Sequence, residues 1–328
     1  MIEMTIGIVF RNEAVHFAGF FDALAMALPN QIHFEVLGYD NNSRDSSAET
    51  FRQHCENRNW KFRVQKSERN NMGAARAWIL EHSSFELVYF IDVDVTPDSN
   101  AILMLYNALL QHINESSVCA ASGPLQIFGA NEFQKRLALL QASWWGNFGS
   151  AQMKNSFSEK LISHAPTAHL LIKRSEYLKA GSFNTSFDKT GEDLEIHWRL
   201  SQVNKKILWV KEAQAKHQVA QDLVQWLKKS FKYGAAQTQT ARVHPNFFIT
   251  RKCLPLWLFL LAIYLIGEAP LYFCIFVALY LFSILISAAR LSLRYALALT
   301  GLLFSTHIFY LFGEIFGLLR SPATPTKK

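Results

Sequence analysis

The chain has 328 residues, a formal net charge of +7 and four cysteines. The length allows one large domain or two modest ones, and the positive charge fits attraction to an anionic membrane surface and to phosphate groups. Nucleic-acid binding is not expected because no basic-aromatic module is visible, and the cysteines show neither disulfide nor metal-ligand spacing, which fits a reducing compartment.

The first part of the chain alternates strand and helix patterns. Strands are predicted at 5–10, 32–39, 61–64 and 87–91, and helices at 14–28, 46–59 and 73–81. This order predicts an α/β fold with a mostly parallel sheet and helices on both faces. Polar turns follow three of the strands, at 11–13, 40–45 and 92–94. Because they are expected to gather along one edge of the sheet, they favour a nucleotide site.

The apolar run at 87–91 ends in two carboxylates, Asp92 and Asp94. In an extended chain, residues two apart point to the same side, roughly 6.6–7 Å apart. Two anions that face one crevice repel each other unless a cation lies near them. At that separation we expect one to bind a metal ion and the other a sugar hydroxyl or a metal-bound water. An ordinary turn, helped by Thr96-Pro97-Asp98, is the alternative.

After about residue 115 the pattern becomes irregular. The section 134–163, rich in aromatics, glycine and asparagine, is either an acceptor-facing loop region or core filling. Strands are predicted at 170–173 and 207–210, and a helix at 193–201. Thr190 and Asp193 have capping-box spacing, so Asp193 has a structural interpretation as well as a functional one, as a general base. The two interpretations are compatible, since a capped helix end holds a carboxylate rigidly.

The C-terminal third is mostly apolar. A helix predicted at 222–233 carries three lysines, which predicts contact with an anionic membrane surface, or alternatively a solvated charged face. The apolar segments are 254–266, 269–289 and 295–312. By length the second spans a bilayer, the third is borderline and the first is short, whereas buried helices of a soluble protein are the alternative.

Basic residues predict the orientation of these segments. Arg251 and Lys252 precede the first segment, and Arg290 and Arg294 follow the second, so a hairpin of the two keeps both clusters cytoplasmic. A full crossing by the third segment would put three further basic residues outside. This segment is alternatively re-entrant or tilted in the membrane interface, so the number of crossings stays open. The chain enters a strand pattern almost at once without a leader, so the catalytic part is expected in the cytoplasm.

Five motifs occur in order: Arg11-Asn12-Glu13, Asp40-Asn41-Asn42-Ser43-Arg44-Asp45, Asn71-Met72-Gly73-Ala74-Ala75-Arg76, Asp92-Val93-Asp94 and Glu192-Asp193. With them the chain resembles the inverting family 2 glycosyltransferases of the GT-A fold, which carry DxD and ED motifs. The tail at 226–234, 242–245 and 251–255 resembles the membrane-approach region of bacterial exopolysaccharide glycosyltransferases of the succinoglycan type.

The resemblance implies a role for each motif. Asp40 would bind the uracil of a UDP-sugar, and Asp193 would be the base of a single displacement that inverts the anomeric centre. Asp94 would bind Mg²⁺ or Mn²⁺, with His217 either a further metal ligand or an ordinary surface residue. The other residues implied at the nucleotide-sugar site are Val9, Arg11, Glu13, Arg76 and Asp92. His164 and His169 are expected to be acceptor-side or structural.

We expect a GT-A domain followed by C-terminal membrane helices. The predicted divisions are a GT-A domain (1–220), a basic membrane-approach segment (221–252), apolar helices (253–320) and a tail (321–328). The expected activity, at the cytoplasmic face of the inner membrane, adds one sugar to a lipid-linked saccharide for extracellular or cell-surface polysaccharide. Transfer to polyprenyl phosphate, and a non-catalytic membrane-anchored scaffold, are the alternatives. A single transfer is expected because Gln221–Trp226 lacks the Gln-x-x-Arg-Trp motif of processive synthases.

Overall fold

The computed structural model describes residues 2–29, 32–147, 160–250 and 253–319. They fall into two compact units. Within the described ranges, the first unit contains residues up to 126 and from 160 to 217, and the second contains 127–147 and 218–319. The functional division near residue 220 stays a prediction.

The elements up to residue 217 form an α/β arrangement, apart from the two helices within 132–147, which belong to the second unit. Its strands are β1 (Ile2–Phe10), β2 (Ile32–Asp40), β3 (Phe62–Lys66), β4 (Leu87–Ile91), β5 (Val95–Pro97), β6 (Val118–Ser122), β7 (Leu125–Ile127), β8 (Lys160–Ile162), β9 (His169–Lys173), β10 (Lys206–Trp209) and β11 (Ala215–His217). The helices up to residue 217 are α1 (Phe17–Ala27), α2 (Ser47–Asn57), α3 (Met72–His82), α4 (Ala101–Gln111), α5 (Glu132–Ala142), α6 (Trp144–Asn147), α7 (Arg174–Lys179) and α8 (Glu192–Gln202).

The main sheet has eight strands in the order β3-β2-β1-β4-β9-β6-β10-β8. Four neighbouring pairs are parallel (β2/β3, β1/β2, β1/β4 and β6/β10), whereas β9 runs antiparallel to β4 and β6, and β8 runs antiparallel to β10. This confirms the predicted mostly parallel α/β sheet. The register pairs Phe10 with Asp40 at the carboxyl ends of β1 and β2, so the loops that follow these strands begin side by side.

Two groups of buried apolar side chains cover the sheet. Along β4, Tyr89 and Ile91 belong to one group, and Val88 and Phe90 belong to the other. Successive strand residues point to opposite faces, so this alternation shows that both faces of the sheet are buried under helices. Each large apolar side chain buried in this way stabilises the fold by roughly 1.5–3 kcal/mol.

The described part of the second unit is helical after residue 217. Its elements are α9 (Leu223–Val243), a 3₁₀ turn (Pro245–Ile249), α10 (Leu254–Glu268), α11 (Pro270–Leu291) and α12 (Ala296–Leu319), the last preceded by a 3₁₀ turn at Leu293–Tyr295. Among the described residues, two helices are long and apolar enough to cross a membrane: Pro270–Leu291, with mean hydropathy 2.4, and Leu293–Leu319, with mean hydropathy 1.6. As expected, α10 is shorter, with 15 residues.

The structure differs from the expected elements mainly after residue 115. Regular elements replace much of the irregular stretch, including β6, β7 and α5, although residues 148–159 of the predicted loop region lie outside the described residues. Helix α9 continues to Val243 instead of ending near Tyr233, because Gly234 packs against another helix and does not terminate its own. Basic residues used to predict orientation, Arg251, Lys252 and those from 320 onward, also lie outside the described ranges.

Candidate active site

The loops after β1 and β2 are hydrogen-bonded into one structure at the edge of the sheet. The backbone N–H of Asn12 donates to Ser43 Oγ at 3.0 Å, and the N–H of Arg44 donates to Asn12 Oδ1 at 2.8 Å. The N–H of Glu13 donates to Ser47 Oγ at 2.7 Å. Asn12 has φ +58°, a left-handed conformation that asparagine tolerates better than most residues. The predicted residues Arg11, Glu13 and Asp40 are thereby brought together.

Asp40 ends β2 and is fully buried. Its Oδ1 accepts a hydrogen bond from the Ser43 backbone N–H at 2.7 Å. Its Oδ2 has no hydrogen-bond partner among the described residues. A buried carboxylate oxygen without a donor is costly, so this atom is a candidate acceptor for an N–H group of a ligand.

Two other predicted pocket residues lie at the carboxyl end of β1 and just beyond it. Val9 is buried within the strand, with its neighbour Tyr39 on β2. Arg11 is exposed, and its Nε lies 3.4 Å from the Asn42 carbonyl oxygen. The structure therefore keeps Arg11 at the surface of the loop pair that contains Asp40.

Asp92 and Asp94 lie in a tight turn after β4. The Val95 N–H donates to the Asp92 carbonyl at 3.0 Å, which closes the turn before β5 begins. The extended-chain spacing assumed for the two aspartates is therefore wrong, because the strand ends at Ile91. The two carboxylates have different partners: Asp92 contacts an arginine and Asp94 contacts a histidine.

Strand pairing brings His217 to Asp94. Strands β11 and β5 are antiparallel, and His217 lies opposite Val95, next to Asp94 in sequence. The His217 Nε2 atom lies 3.2 Å from Asp94 Oδ2, with side-chain exposures of 16% and 41% respectively. The two residues are 123 positions apart in the sequence, and the antiparallel pairing of β11 with β5 places them side by side.

Glu13 adds a further carboxylate near Asp94. Burial raises the pKa of Glu13, and the negative charges of Asp94 and Asp45 raise it further, against the lowering effect of His16, whose Nδ1 lies 2.8 Å from Glu13 Oε2. A neighbour that raises a carboxyl pKa by its own charge must be close to it. The negative charge at this edge therefore favours a bound cation.

Arg76 on α3 connects two motifs. Its buried guanidinium lies with Nη2 3.2 Å from Asp92 Oδ1, and its Nη1 contacts Glu192 Oε1. Glu192 is the first residue of α8 and is only 2% exposed. The guanidinium thus holds two carboxylates in place. Sequence reasoning gave Glu192 no role of its own, because an acid at a helix start has a generic explanation.

The Asn-x-Gly-x-Ala-Arg motif docks the start of α3. Asn71 caps the helix by accepting the Ala74 N–H at 2.8 Å, and its Nδ2 donates to the Thr185 carbonyl at 2.8 Å. A Cβ on Gly73 would lie 2.2 Å from the Asn184 carbonyl oxygen, so only glycine fits this close approach. The motif therefore fixes α3 against the loop that leads into α8.

The start of α8 differs from the predicted capping box. The N-cap is Gly191, with φ +94° and no side-chain cap hydrogen bond, so Thr190 does not cap the helix and the capping-box prediction is wrong. Asp193 is half-buried on the first turn, and its Oδ1 accepts from the Leu194 N–H at 2.7 Å. Burial raises the pKa of Tyr177, and the nearby charge of Asp193 contributes in the same direction.

The remaining predicted histidines, His164 and His169, each contact another aromatic side chain. His169 is fully buried, with Nδ1 2.7 Å from Tyr89 Oη and Nε2 3.0 Å from the Ala213 carbonyl oxygen. Burial lowers the pKa of His169 to about 4, so it is neutral at pH 7 and holds β4, β9 and the turn before β11 together. This is the structural one of the two roles expected. The His164 and His197 rings lie edge to face with centroids 5.6 Å apart, and His197 Nε2 lies 2.7 Å from Tyr177 Oη.

The side chains at Asp94 fit a divalent ion whose coordination shell is completed by the substrate. Within the residues that the structure covers, no cluster of three or more His, Cys, Asp or Glu side chains could hold a metal by itself. Mg²⁺ sites in nucleotide-dependent enzymes usually take one or two carboxylates and complete their shell with phosphates and water. Asp94 offers a carboxylate oxygen, and His217 an imidazole nitrogen, that could serve as ligands in such a partial site.

The chain is similar in sequence to known glycosyltransferases. The family described as "Glycosyl transferase family 2" matches residues 5–176. The chain is 25% identical over 232 residues to glycosyltransferase AglE of Haloferax volcanii, covering 70% of each chain. It is 24% identical over 175 residues to pre-mycofactocin glycosyltransferase of Mycobacterium tuberculosis, covering 53% of this chain and 35% of that protein. The matched part is thus about a third of that relative's length.

Solved structures share the fold. The mannosyltransferase PcManGT from Pyrobaculum calidifontis, in complex with GDP-Man and Mn²⁺, has a TM-score of 0.60 at 17% identity, covering 96% of this chain and 86% of that chain. TarS 1–349 of S. aureus, in complex with UDP, has a TM-score of 0.52 at 12% identity, covering 96% and 90%. The fold is therefore the GT-A fold that the motifs predicted.

Proposed function

The chain belongs to glycosyl transferase family 2, and we propose that it transfers a single sugar from a nucleotide sugar, with UDP-sugar as donor, to a lipid-linked saccharide. The reaction takes place at the cytoplasmic face of the inner membrane and serves extracellular or cell-surface polysaccharide. The observation that carries the proposal is the 3.2 Å contact between Asp94 and His217 beside the loops that follow β1 and β2. This contact provides two metal ligands at the edge of the GT-A sheet, and the diphosphate of the donor supplies the others.

Donor recognition rests on Asp40. Its buried Oδ2 is available to accept the ring N–H of uracil, which is the only N–H of that base. Oδ1 is already held by the Ser43 backbone, so the carboxylate cannot rotate freely. Val9, Arg11 and Glu13 line the same pocket, and Arg76 acts behind it by holding Asp92 towards the ribose or a metal-bound water.

Asp94 and His217 hold Mg²⁺ or Mn²⁺ in this proposal. When bound, the ion neutralises charge on the departing diphosphate. Structures of two similar proteins, PcManGT and GalNAc-T7, contain Mn²⁺; the second has a TM-score of 0.51 at 14% identity and covers 66% of this chain and 43% of that chain. The role of the chain is to fix one carboxylate and one imidazole at the edge where the diphosphate lies.

Asp193 is the base. Its carboxylate takes the proton of the acceptor hydroxyl as that oxygen forms a bond to the anomeric carbon, while the bond from this carbon to the diphosphate breaks. One displacement inverts the anomeric configuration. The ion pair of Glu192 with Arg76 holds the start of α8, and so holds the base next to it.

The membrane placement rests on the second unit. Two apolar helices of sufficient length support membrane association, and the lysines of α9 fit an anionic surface. A lipid-linked acceptor would then lie in the same membrane with which the protein associates. The resemblance of the tail to exopolysaccharide enzymes favours a lipid-linked saccharide as acceptor. Transfer to polyprenyl phosphate is the alternative, and it would give a different product.

The test uses the purified full-length chain in detergent, with Mn²⁺, a panel of radiolabelled UDP- and GDP-sugars, and a bacterial lipid extract. We expect labelled lipid and metal-dependent nucleotide release, both lost in Asp193→Asn. Mass spectrometry separates a lengthened lipid-linked saccharide from a lipid-phosphate monosaccharide. Equal nucleotide release by the wild type and Asp193→Asn would refute the proposed base. Tight UDP binding without any turnover would support the scaffold alternative.

A further inference from the structure

Helix α12 has the composition of a membrane span, but it is packed unlike one. Half of its most apolar window is buried inside the protein, whereas 11% of the corresponding window of α11 is buried. Most of its buried side chains lie along one side, and several are small or polar, such as Thr306, His307, Gly313 and Gly317. The packing of α12 is therefore a better guide than its hydropathy to where this helix lies relative to a bilayer.

The C-terminal half of α12 lies against α9 at backbone contact. A Cβ on Gly234 would lie 1.9 Å from the Tyr310 carbonyl oxygen, and one on Gly313 would lie 2.0 Å from the Phe231 carbonyl oxygen. The Thr238 hydroxyl donates to the Glu314 carbonyl at 2.8 Å. Glycines at such positions let two helix backbones touch.

The two helices run parallel over a long stretch. Trp226 Nε1 donates to Thr306 Oγ1 at 2.8 Å near the start of the contact, and Arg242 Nη1 donates to the Gly317 carbonyl at 3.3 Å near its end. The depth of α9 in a bilayer therefore also sets the depth of the C-terminal half of α12, from Thr306 onward.

Helix α9 is unsuited to hydrocarbon. It carries four cationic residues within 21 positions: Lys228, Lys229, Lys232 and Arg242. Lysine and arginine are strongly disfavoured at the centre of a membrane helix, whereas they are favoured where the anionic headgroups lie. Helix α9 therefore lies at the membrane surface, and the part of α12 that touches it must stay there.

The other half of α12 packs against the C-terminal part of α11 and against α5 and α6, and of these α5 carries charged side chains. Leu299, Leu302 and Leu303 pack with Leu137 and Leu140 of α5. Just before α12, the ring of Tyr295 lies 4.9 Å from the Arg136 guanidinium. The Trp145 carbonyl accepts a hydrogen bond from His307 Nε2 at 2.8 Å. Helix α5 also carries the exposed ion pair of Lys135 with Glu132, so it is a surface helix.

We propose that α12 lies along the cytoplasmic surface of an anionic bilayer instead of crossing it. Its uncovered side is an apolar stripe that would enter the lipid boundary: Leu297, Phe304, Phe312, Phe316 and Leu319. The exposed Lys228 of α9 complements the headgroup charge. Both ends of α12 then face the cytoplasm. This inference depends on the proposed membrane association and on nothing in the sugar-transfer chemistry.

The test compares the two ends of α12 by cysteine labelling in the full-length chain. Single cysteines replace Leu293, before α12, and Ser321, after it, in a Cys274→Ser background. The other native cysteines are buried, and burial raises the pKa of Cys55 and Cys119 to about 12, so their thiols stay protonated and unreactive. Glu56→Cys, at an exposed position on α2, reports the side of the first unit.

A membrane-impermeant maleimide is applied to intact cells and to inside-out vesicles. We expect all three cysteines to react in inside-out vesicles only. Labelling of Leu293→Cys and Ser321→Cys from opposite sides would overturn the proposal, as would protection of either one in both preparations until detergent is added. UDP binding by the same variants is measured separately, so a wrong topology and a wrong function give different results.

Discussion

Arg76 and Glu192 form a buried ion pair that joins α3 to the helix that carries Asp193. The same guanidinium also contacts Asp92, so one arginine holds side chains of the DxD and ED motifs at once. These motifs are 100 positions apart in the chain, from Asp92 to Glu192. The pair therefore fixes the position of Asp193, the proposed base, relative to the proposed donor site.

Replacement of Arg76 by methionine should destabilise the protein by about 3–5 kcal/mol, because it leaves the Glu192 carboxylate buried without its cation. The double variant Arg76→Met with Glu192→Gln should recover much of that stability, since no buried charge remains. It should not recover activity, because Asp92 still lacks its partner. Thermal unfolding of the full-length chain in detergent, together with turnover, tests both parts. Equal unfolding temperatures for the single and double variants would contradict the coupling.

Loss of Asp94 should reduce kcat/KM by at least about 100-fold, which corresponds to some 2.7 kcal/mol of transition-state stabilisation. His217→Gln should act more mildly and mainly raise the Mn²⁺ concentration needed for half-maximal rate. EDTA should abolish activity in the wild type, and added Mn²⁺ should restore it. Metal titrations of the initial rate check this, with the exposed Glu212→Gln as matched control. An unchanged Mn²⁺ requirement in His217→Gln would exclude it as a ligand.

Asp193→Asn should lower kcat by about 10²–10⁴-fold, the usual contribution of a general base. Affinity for UDP should change little, because Asp193 is proposed to contact the acceptor and not the nucleotide. Single-turnover rates and calorimetric UDP binding separate the two effects. Glu56→Gln, an exposed acid on α2, serves as the control and should match the wild type. A parallel loss of UDP affinity in Asp193→Asn would instead indicate a donor-site role.

Asp40→Asn should weaken UDP binding by roughly tenfold or more. The amide that replaces Oδ2 no longer guarantees an acceptor for the uracil N–H, and a lost buried hydrogen bond costs about 1–3 kcal/mol. Binding of cytidine diphosphate, whose base has an acceptor at this ring position, should be weak in the wild type and should improve relative to UDP in the variant. Calorimetry with both nucleotides measures the ratio, and an unchanged ratio would place the base elsewhere.

His169 should make the folded protein sensitive to acid. Burial lowers its pKa from 6.5 to about 4. Between these values the unfolded chain binds more protons than the folded one, so stability is complete above pH 6.5 and falls as the pH drops towards 4. The loss amounts to about 3 kcal/mol at 1.36 kcal/mol per pH unit.

His169→Gln should lower stability at pH 7 but remove this part of the pH dependence. Unfolding temperatures of both proteins in detergent from pH 7 to pH 4 give the comparison. The exposed His33→Gln is the control and should keep the acid sensitivity of the wild type. Parallel curves for His169→Gln and the wild type would mean that another group is responsible.

Much of the fold could be read from local patterns. The strand at Leu87–Ile91 was predicted at its observed bounds, and β1 and β2 nearly so, because a buried parallel strand is a short continuous apolar run. The clustering of the loops at the ends of β1 and β2 followed from parallel topology. Helix α8 was found one residue from its observed start.

What sequence alone determined, then, was the α/β class, the positions of the motifs and the three apolar segments, since each depends on residues within a few positions of one another. Tertiary structure decided that Asp92 turns to Arg76, that Asp94 meets His217 and that α12 is half covered by other helices. These arrangements depend on contacts between distant parts of the chain. Periodicity along a single segment carries no record of which distant segment will pack against it.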